Sequence, residues 1–431
     1  MTELYYPLHS LREGDWFKLI CGASFQHLPA VRSLTLAYTL AGADCIDVAA
    51  DPAVISAAKD ALQVASTMGN EAKQRGFGFL GRPWLMVSLN DGEDPHFRKA
   101  EFDSDLCPGD CPRPCEKICP AQAITFQNGS EAYSGVIDQR CYGCGRCLPV
   151  CPHQLITTRS YVSAPFAIAP LILSNGVDAI EIHTKVGNLP DFKRLWNAIA
   201  PWCAQLKLLA ISCPDGKDLI DYLKEIYQLI QPLPCPLIWQ TDGRPMSGDI
   251  GMGTTHAAVK LAQKVIAAGL PGYVQLAGGT NNHTVSKLRA ARLLNHYQVA
   301  RLPVEGSPEK LKVGRLPVER SYNNLGQKAT LREQPNNLPY SNPKGEQPNN
   351  LSYVAGVAYG SYARVLLSPI LEKLEQDYDQ DVDHHQGFLP NPSSRNLEDV
   401  PDLLWQAVAD AHSLVAQLKS VKKIPESISF S

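Results

Sequence analysis

The chain has 431 residues, 44% of them hydrophobic, with 40 Lys and Arg set against 43 Asp and Glu. That length exceeds one ordinary domain and the apolar share suffices for a sizeable core; the net charge of −3 offers no basic surface for nucleic acid or an acidic membrane. The opening MTELYYPLHSLREGDW lacks the apolar stretch of an export signal, and no apolar run reaches the roughly 18–20 residues that span a bilayer, so a soluble, cytoplasmic protein is expected.

In chain order, the first ninety residues alternate strand and helix. Trp16 to Ser24 (WFKLICGAS) reads as a strand, followed by a helical pattern in LPAVRSLTLAYTLAG. Cys45 to Ala50 reads as a second buried strand, PAVISAAKDALQVAS as a helix with Pro52 near its start, and Trp84 to Asn90 as a third strand. The rhythm then stops at a cysteine-rich stretch and resumes after about residue 160. Strands are expected at 178–184, 206–212, 236–242 and 273–279, with helical patterns between them in FKRLWNAIAPWC, DLIDYLKEIYQLI and HAAVKLAQKVIAAG. A last strand, a glycine-bearing turn and a helix are expected over 353–376. Eight strands, most followed by a helix, predict an α/β fold of (β/α)8-barrel type rather than an open doubly wound sheet. The cysteine stretch would be an inserted α+β, ferredoxin-like two-cluster domain.

The expected boundaries are 1–100 for the first half of the barrel, 101–160 for the insertion and 161–300 for the barrel's continuation. Residues 301–350 hold seven Pro and seven Asn but no Phe, Trp or Ile, and repeat RLPVE and EQPNNL; such a composition cannot offset its ordering entropy and predicts a disordered insertion. The last barrel unit is expected over 351–380. A linker and one amphipathic helix, with Leu403, Leu404, Val408, Ala411 and Leu414 on its packing face, fill 381–431.

Eight of the thirteen cysteines crowd between Cys107 and Cys151, a spacing that suits metal ligation rather than cross-linking. Cys141, Cys144, Cys147 and Cys151-Pro152 reproduce the bacterial ferredoxin run, in which three thiolates hold one cluster and the fourth reaches the other. Cys107, Cys111, Cys115 and Cys119-Pro120 repeat the logic with wider gaps, and CPAQAI and CPHQLI follow the two runs. An internal duplication follows, in which Cys107, Cys111, Cys115 and Cys151 hold one [4Fe-4S] cluster and Cys141, Cys144, Cys147 and Cys119 the second. Structural zinc is the alternative, but zinc knuckles come as pairs separated by a dozen residues or more. The widened upstream run leaves open a three-iron cluster there. Cys21, Cys45, Cys203, Cys213 and Cys235 have no partner at ligand spacing and read as core residues.

Catalytic groups of such barrels sit at the C-terminal ends of strands. The candidates are Asp47 and Asp51, Glu181 and His183 on one strand face, Asp242 and Arg244, the turn Gly278-Gly279-Thr280-Asn281-Asn282-His283, and Gly356 to Arg364 in the last unit. The glycine-rich turn could cradle a phosphate or a flavin through backbone N–H groups. Solvated loops and interior hydrogen bonds are the commoner explanation of the same residues, and no catalytic residue follows from the pattern alone.

The run from Leu11 to Leu62, the double cysteine motif and the segment Pro234 to Gly251 together resemble the cyanobacterial light-dependent period protein (LdpA) family. The resemblance covers most of residues 10–300 and resumes near 353, and the repeat-bearing insertion departs from it. It implies an iron–sulfur, redox-sensing protein that feeds light-dependent metabolic state into the circadian clock and sets its period. Circadian clock proteins and clock-associated kinases are the implied partners, and only the eight cysteines carry over as site residues. Three readings remain: a redox sensor, an oxidoreductase passing electrons to a flavin or substrate in the barrel, and a simple electron carrier. The last needs far less chain than is present.

Overall fold

A computed structural model describes residues 6–126, 134–160, 162–164, 175–244, 251–295, 347–383 and 396–419. Eight strands form a closed, all-parallel barrel: β1 (Trp16–Ile20), β2 (Cys45–Ala49), β3 (Trp84–Asn90), β8 (Ala179–His183), β9 (Leu208–Pro214), β10 (Leu237–Asp242), β11 (Tyr273–Ala277) and β12 (Gly356–Tyr359). They neighbour one another in chain order, and β1 closes the ring by pairing with both β2 and β12. The (β/α)8-type barrel expected from the alternation is the fold observed.

Each strand buries both faces, for two different reasons. The outward side chains, such as Phe17, Leu19, Ile46, Val48, Val87, Ile180, Ile211, Trp239 and Val357, join one core with the surrounding helices. These are α2 (Leu28–Ala41), α3 (Pro52–Gln74), α6 (Leu189–Ile199), α7 (Leu219–Leu229), α8 (Thr255–Ala267), α9 (Thr284–Ala290), α10 (Ser361–Asp383) and α11 (Pro401–Lys419). The inward side chains stack in layers. Trp16, Cys45, Trp84, Ala179, Leu208, Ile238 and Tyr273 fill the N-terminal end, with Leu11 of α1 (Tyr6–Glu13) packed against them. Above this apolar plug the interior turns polar, with Lys18, Asp47, Ser88, Glu181, Ser212, Gln240 and Gln275 all buried. The polar interior is therefore built on an apolar floor.

The connection after β3 carries the cysteine module. There β4 (Arg98–Glu101) pairs antiparallel with β7 (Thr157–Ser160), and β5 (Ile124–Phe126) with β6 (Ser134–Val136). Two short helices, α4 (Pro114–Ile118) and α5 (Cys147–Val150), each end on a cysteine. Cys119 has φ −71° and ψ 110°, and Cys151 has φ −71° and ψ 112°. Three residues later Gln122 and Gln154 both take positive φ, 47° and 54°. The repeated Cys-Pro-x-Gln is thus repeated in backbone as well as in letters.

The packing face expected for the C-terminal helix is buried, with Leu403, Leu404, Val408, Ala411 and Leu414 at most 4% exposed, and α11 lies against α2 and α10. Its last residue, Lys419, pairs with the fully buried Asp44 at 2.6 Å. Most of the Pro- and Asn-rich stretch, 301–346, lies outside the described residues, as does 384–395 of the linker. Residues 347–350 are pinned to the barrel: the Gln347 amide accepts from Leu237 N at 2.8 Å and donates to Cys235 O at 2.7 Å. Among the described residues, no helix is long and apolar enough to cross a membrane.

Candidate functional site

The eight cysteines of the module are free thiols that fall into two neighbourhoods. Cys107 interacts with Cys111 and Cys151, and Cys115 with Cys151 and Cys107. Cys119 instead interacts with Cys141, and Cys147 with Cys144, Cys141 and Cys119. The second set lines a hollow of about 410 Å³ together with Ala100, Ala123 and Ile124. Its thiols are held by local backbone: Ala100 N donates to Cys141 Sγ at 3.3 Å, and Ala123 N to Cys119 Sγ at 3.2 Å. Burial pushes the Cys147 thiol up to about 12, and burial likewise raises Cys119 and Cys144. Cys151 goes the other way. Burial opposes its ionisation, but N–H groups of Leu155, His153, Ile156 and Gln154 outweigh that and lower its pKa. Four converging thiols with aimed N–H donors fit an iron–sulfur group, whose soft iron takes thiolate and whose potential such donors tune.

The downstream loop also touches the barrel. Tyr142, between Cys141 and Cys144, is 5% exposed. Its ring meets Phe25 edge-on at 5.7 Å and lies under the Arg364 guanidinium at 4.1 Å. Gly143 follows because a Cβ there would stand 2.2 Å from Arg98 O, on a backbone with φ +70°. Lys99 reaches from the module to Gln26 at 2.7 Å, and Arg140 pairs with Glu375 of α10 at 3.0 Å.

Tyr142 forms part of the wall of a pocket of about 740 Å³ at the C-terminal mouth of the barrel. At its base Lys18 contacts Glu181, with Asp47 at 3.1 Å and Gln240 at 3.0 Å. Burial works against the Lys18 ammonium, but Asp47 and Glu181 more than offset it and raise its pKa. The two carboxylates do not share that charge equally. Burial raises Asp47, whereas Glu181, also opposed by burial, is carried below its ordinary value by Lys18 and by His183 at 2.9 Å. His183 is raised in turn: burial is outweighed by Asp94 and Glu181.

Of the candidates read from sequence, Glu181, His183, Asp242, Arg244, Gly278, Gly279, Thr280 and Arg364 line this one pocket, and Asp47 lies just beneath. Asp51 does not join them. It caps α3, accepting from Ala53 N at 2.8 Å and Val54 N at 3.2 Å. Asn281 and His283 serve the turn instead: His283 N donates to Asn281 Oδ1 at 2.9 Å, and Asn281 Nδ2 donates to Gly251 O at 2.8 Å. Arg364 Nη1 is engaged by the carbonyls of Ile20 and Cys21. Cys21, Cys45, Cys203, Cys213 and Cys235 are buried, as expected of core residues. Sequence reasoning missed Lys18, Asp94, His96 and Tyr142. A lone lysine inside the apolar WFKLI was the available signal for the first.

Comparison with known proteins sets the cysteine module apart from the chain that follows it. The Fe-S cluster-binding domain of LdpA matches residues 107–162, and the Light dependent period A C-terminal domain matches residues 171–417. Light dependent period A of Synechococcus elongatus is 44% identical over 414 residues, covering 96% of this chain and 94% of that protein.

Proposed function

The chain belongs to the Light dependent period A family, and from that footing we propose that it is a redox sensor whose iron–sulfur state is relayed through the seam between module and barrel. In this reading Cys107, Cys111, Cys115 and Cys151 hold one [4Fe-4S] cluster, and Cys141, Cys144, Cys147 and Cys119 hold the other. Bound clusters supply one-electron exchange. The chain's own residues do the rest: backbone N–H groups orient the sulfurs, the apolar hollow limits water, and Tyr142 ties the downstream loop to the barrel. The observation that carries the reading is Tyr142 itself, flanked by two cluster-ligand candidates yet buried against Arg364 and Phe25 of the barrel. Any change of charge or spacing at the downstream thiols is thus felt at a packed seam, the kind of local trigger that switches use.

The output proposed is the setting of circadian period by light-dependent cellular redox state in the cytoplasm, with clock proteins and clock-associated kinases as readers. A second reading, an iron–sulfur oxidoreductase with a flavin or substrate on the barrel, is favoured by one fact: the same tyrosine lines the pocket at the barrel mouth. Anaerobic purification separates the two. The sensor predicts about eight iron and eight sulfide per chain, no stoichiometric flavin, and affinity for a clock kinase that changes on dithionite reduction. Iron-poor material holding zinc overturns both readings, and a stoichiometric flavin with redox-independent kinase binding supports the enzyme.

A further inference from the structure

The barrel mouth carries a group of metal-binding side chains that the iron–sulfur reading does not use. Asp94 and His96 stand on the loop after β3 and His183 ends β8; one ligand atom from each lies within 4.8 Å of the others. The two imidazoles are oriented alike. His96 Nε2 faces Asp242 at 3.3 Å, and His183 Nε2 faces Glu181 at 2.9 Å. Their Nδ1 atoms both face Asp94 Oδ1, at 2.6 and 3.6 Å. A carboxylate behind each ligating imidazole is the support that metal-bound histidines recurrently show, because it fixes the ring and strengthens its donor nitrogen.

A second observation concerns the same pocket. Asp242 is 3% exposed and lines the pocket, yet its Oδ1 has no hydrogen-bond partner among the described residues. A buried carboxylate oxygen without a partner costs free energy that a hydrogen-bond donor on a ligand entering the pocket would recover.

We propose that the barrel mouth holds a divalent first-row transition-metal ion on Asp94, His96 and His183, apart from the cysteine-lined hollows and independent of the redox-sensor reading. Two imidazoles and one carboxylate select such an ion over calcium or magnesium, which prefer all-oxygen sets. Three protein ligands leave coordination positions free, and His96, His183 and Asp242 all line the pocket, so an oxygen-donor ligand entering it would meet the ion directly.

The test uses the full chain, purified anaerobically with its clusters and passed over a chelating resin. It is titrated with Mn2+, an ion that shuns thiolates and so ignores any empty cluster cysteine, and free ion is counted by electron paramagnetic resonance. One saturable site per chain is expected, weakened at least tenfold by His96→Ala and by Asp94→Asn, with iron content and cluster absorbance unchanged. No saturable uptake by the wild-type chain overturns the proposal, as does a site of equal affinity in both variants. A variant that misfolds announces itself by losing iron, and the other then decides.

Discussion

The two cysteine runs end on the same turn but lie in different settings. Downstream, Cys141 and Cys147 are buried and Tyr142 and Cys144 pack into the main barrel core. Upstream, only Cys115 is buried, Cys107 and Cys111 are part-exposed, and the flanking Leu106 and Ile118 are 63% and 39% exposed. The two runs are alike in sequence and unequal in burial. Under the proposed function, the buried run is the one that reports to the barrel.

The largest effect should come from the cysteines that leave their loops. Cys119→Ser is expected to remove the downstream cluster and Cys151→Ser the upstream one, each halving the iron content. Electron paramagnetic resonance on both variants assigns the loss, and loss of each run's own cluster instead would undo the crossed pairing. Tyr142→Ala comes next. Truncating this buried ring should cost about 3 kcal/mol in chemical denaturation, and should make the downstream cluster, not the upstream one, bleach faster in air.

Much of the architecture is legible in the sequence. Trp84–Asn90 is legible as a strand to the residue because five of its seven positions are apolar, with Ser88 and Asn90 the polar exceptions. The first strand was read too long, since Gly22 takes φ 131° and turns the chain at the mouth. Lys18 escaped notice because an apolar run hides one charge whose partners, Asp47 and Glu181, lie on other strands. Asp94 and His96 were hidden by proximity to the cysteines, and Tyr142 by reading the residues between ligands as spacers. Pairwise spacing carries cluster chemistry; it does not carry what a loop packs against.

Smaller effects sharpen the contrast at the seam. Burial, with Arg140 nearby, lowers His27 to about 4, so the folded chain keeps it neutral while the unfolded chain, near 6.5, takes up a proton. Stability should therefore fall as pH drops from about 6.5 towards 4, by at most about 1.4 kcal/mol per pH unit. His27→Gln should flatten that slope in pH-dependent denaturation, and an unchanged slope would place its origin elsewhere. Smallest of all is Arg140→Ala. Its ion pair with Glu375 is part-exposed, worth about 0.5 kcal/mol, and should shift the denaturation midpoint only slightly.

Under the proposed function, the downstream loop passes its state to the barrel. Hydrogen exchange followed by mass spectrometry, on anaerobic protein in oxidised and dithionite-reduced forms, reads this directly. Exchange should differ between the two states in peptides spanning 137–149, 20–27 and 360–368, and less so around 104–113. Identical exchange in the two states across the Tyr142 seam, in protein with its full iron, would contradict it.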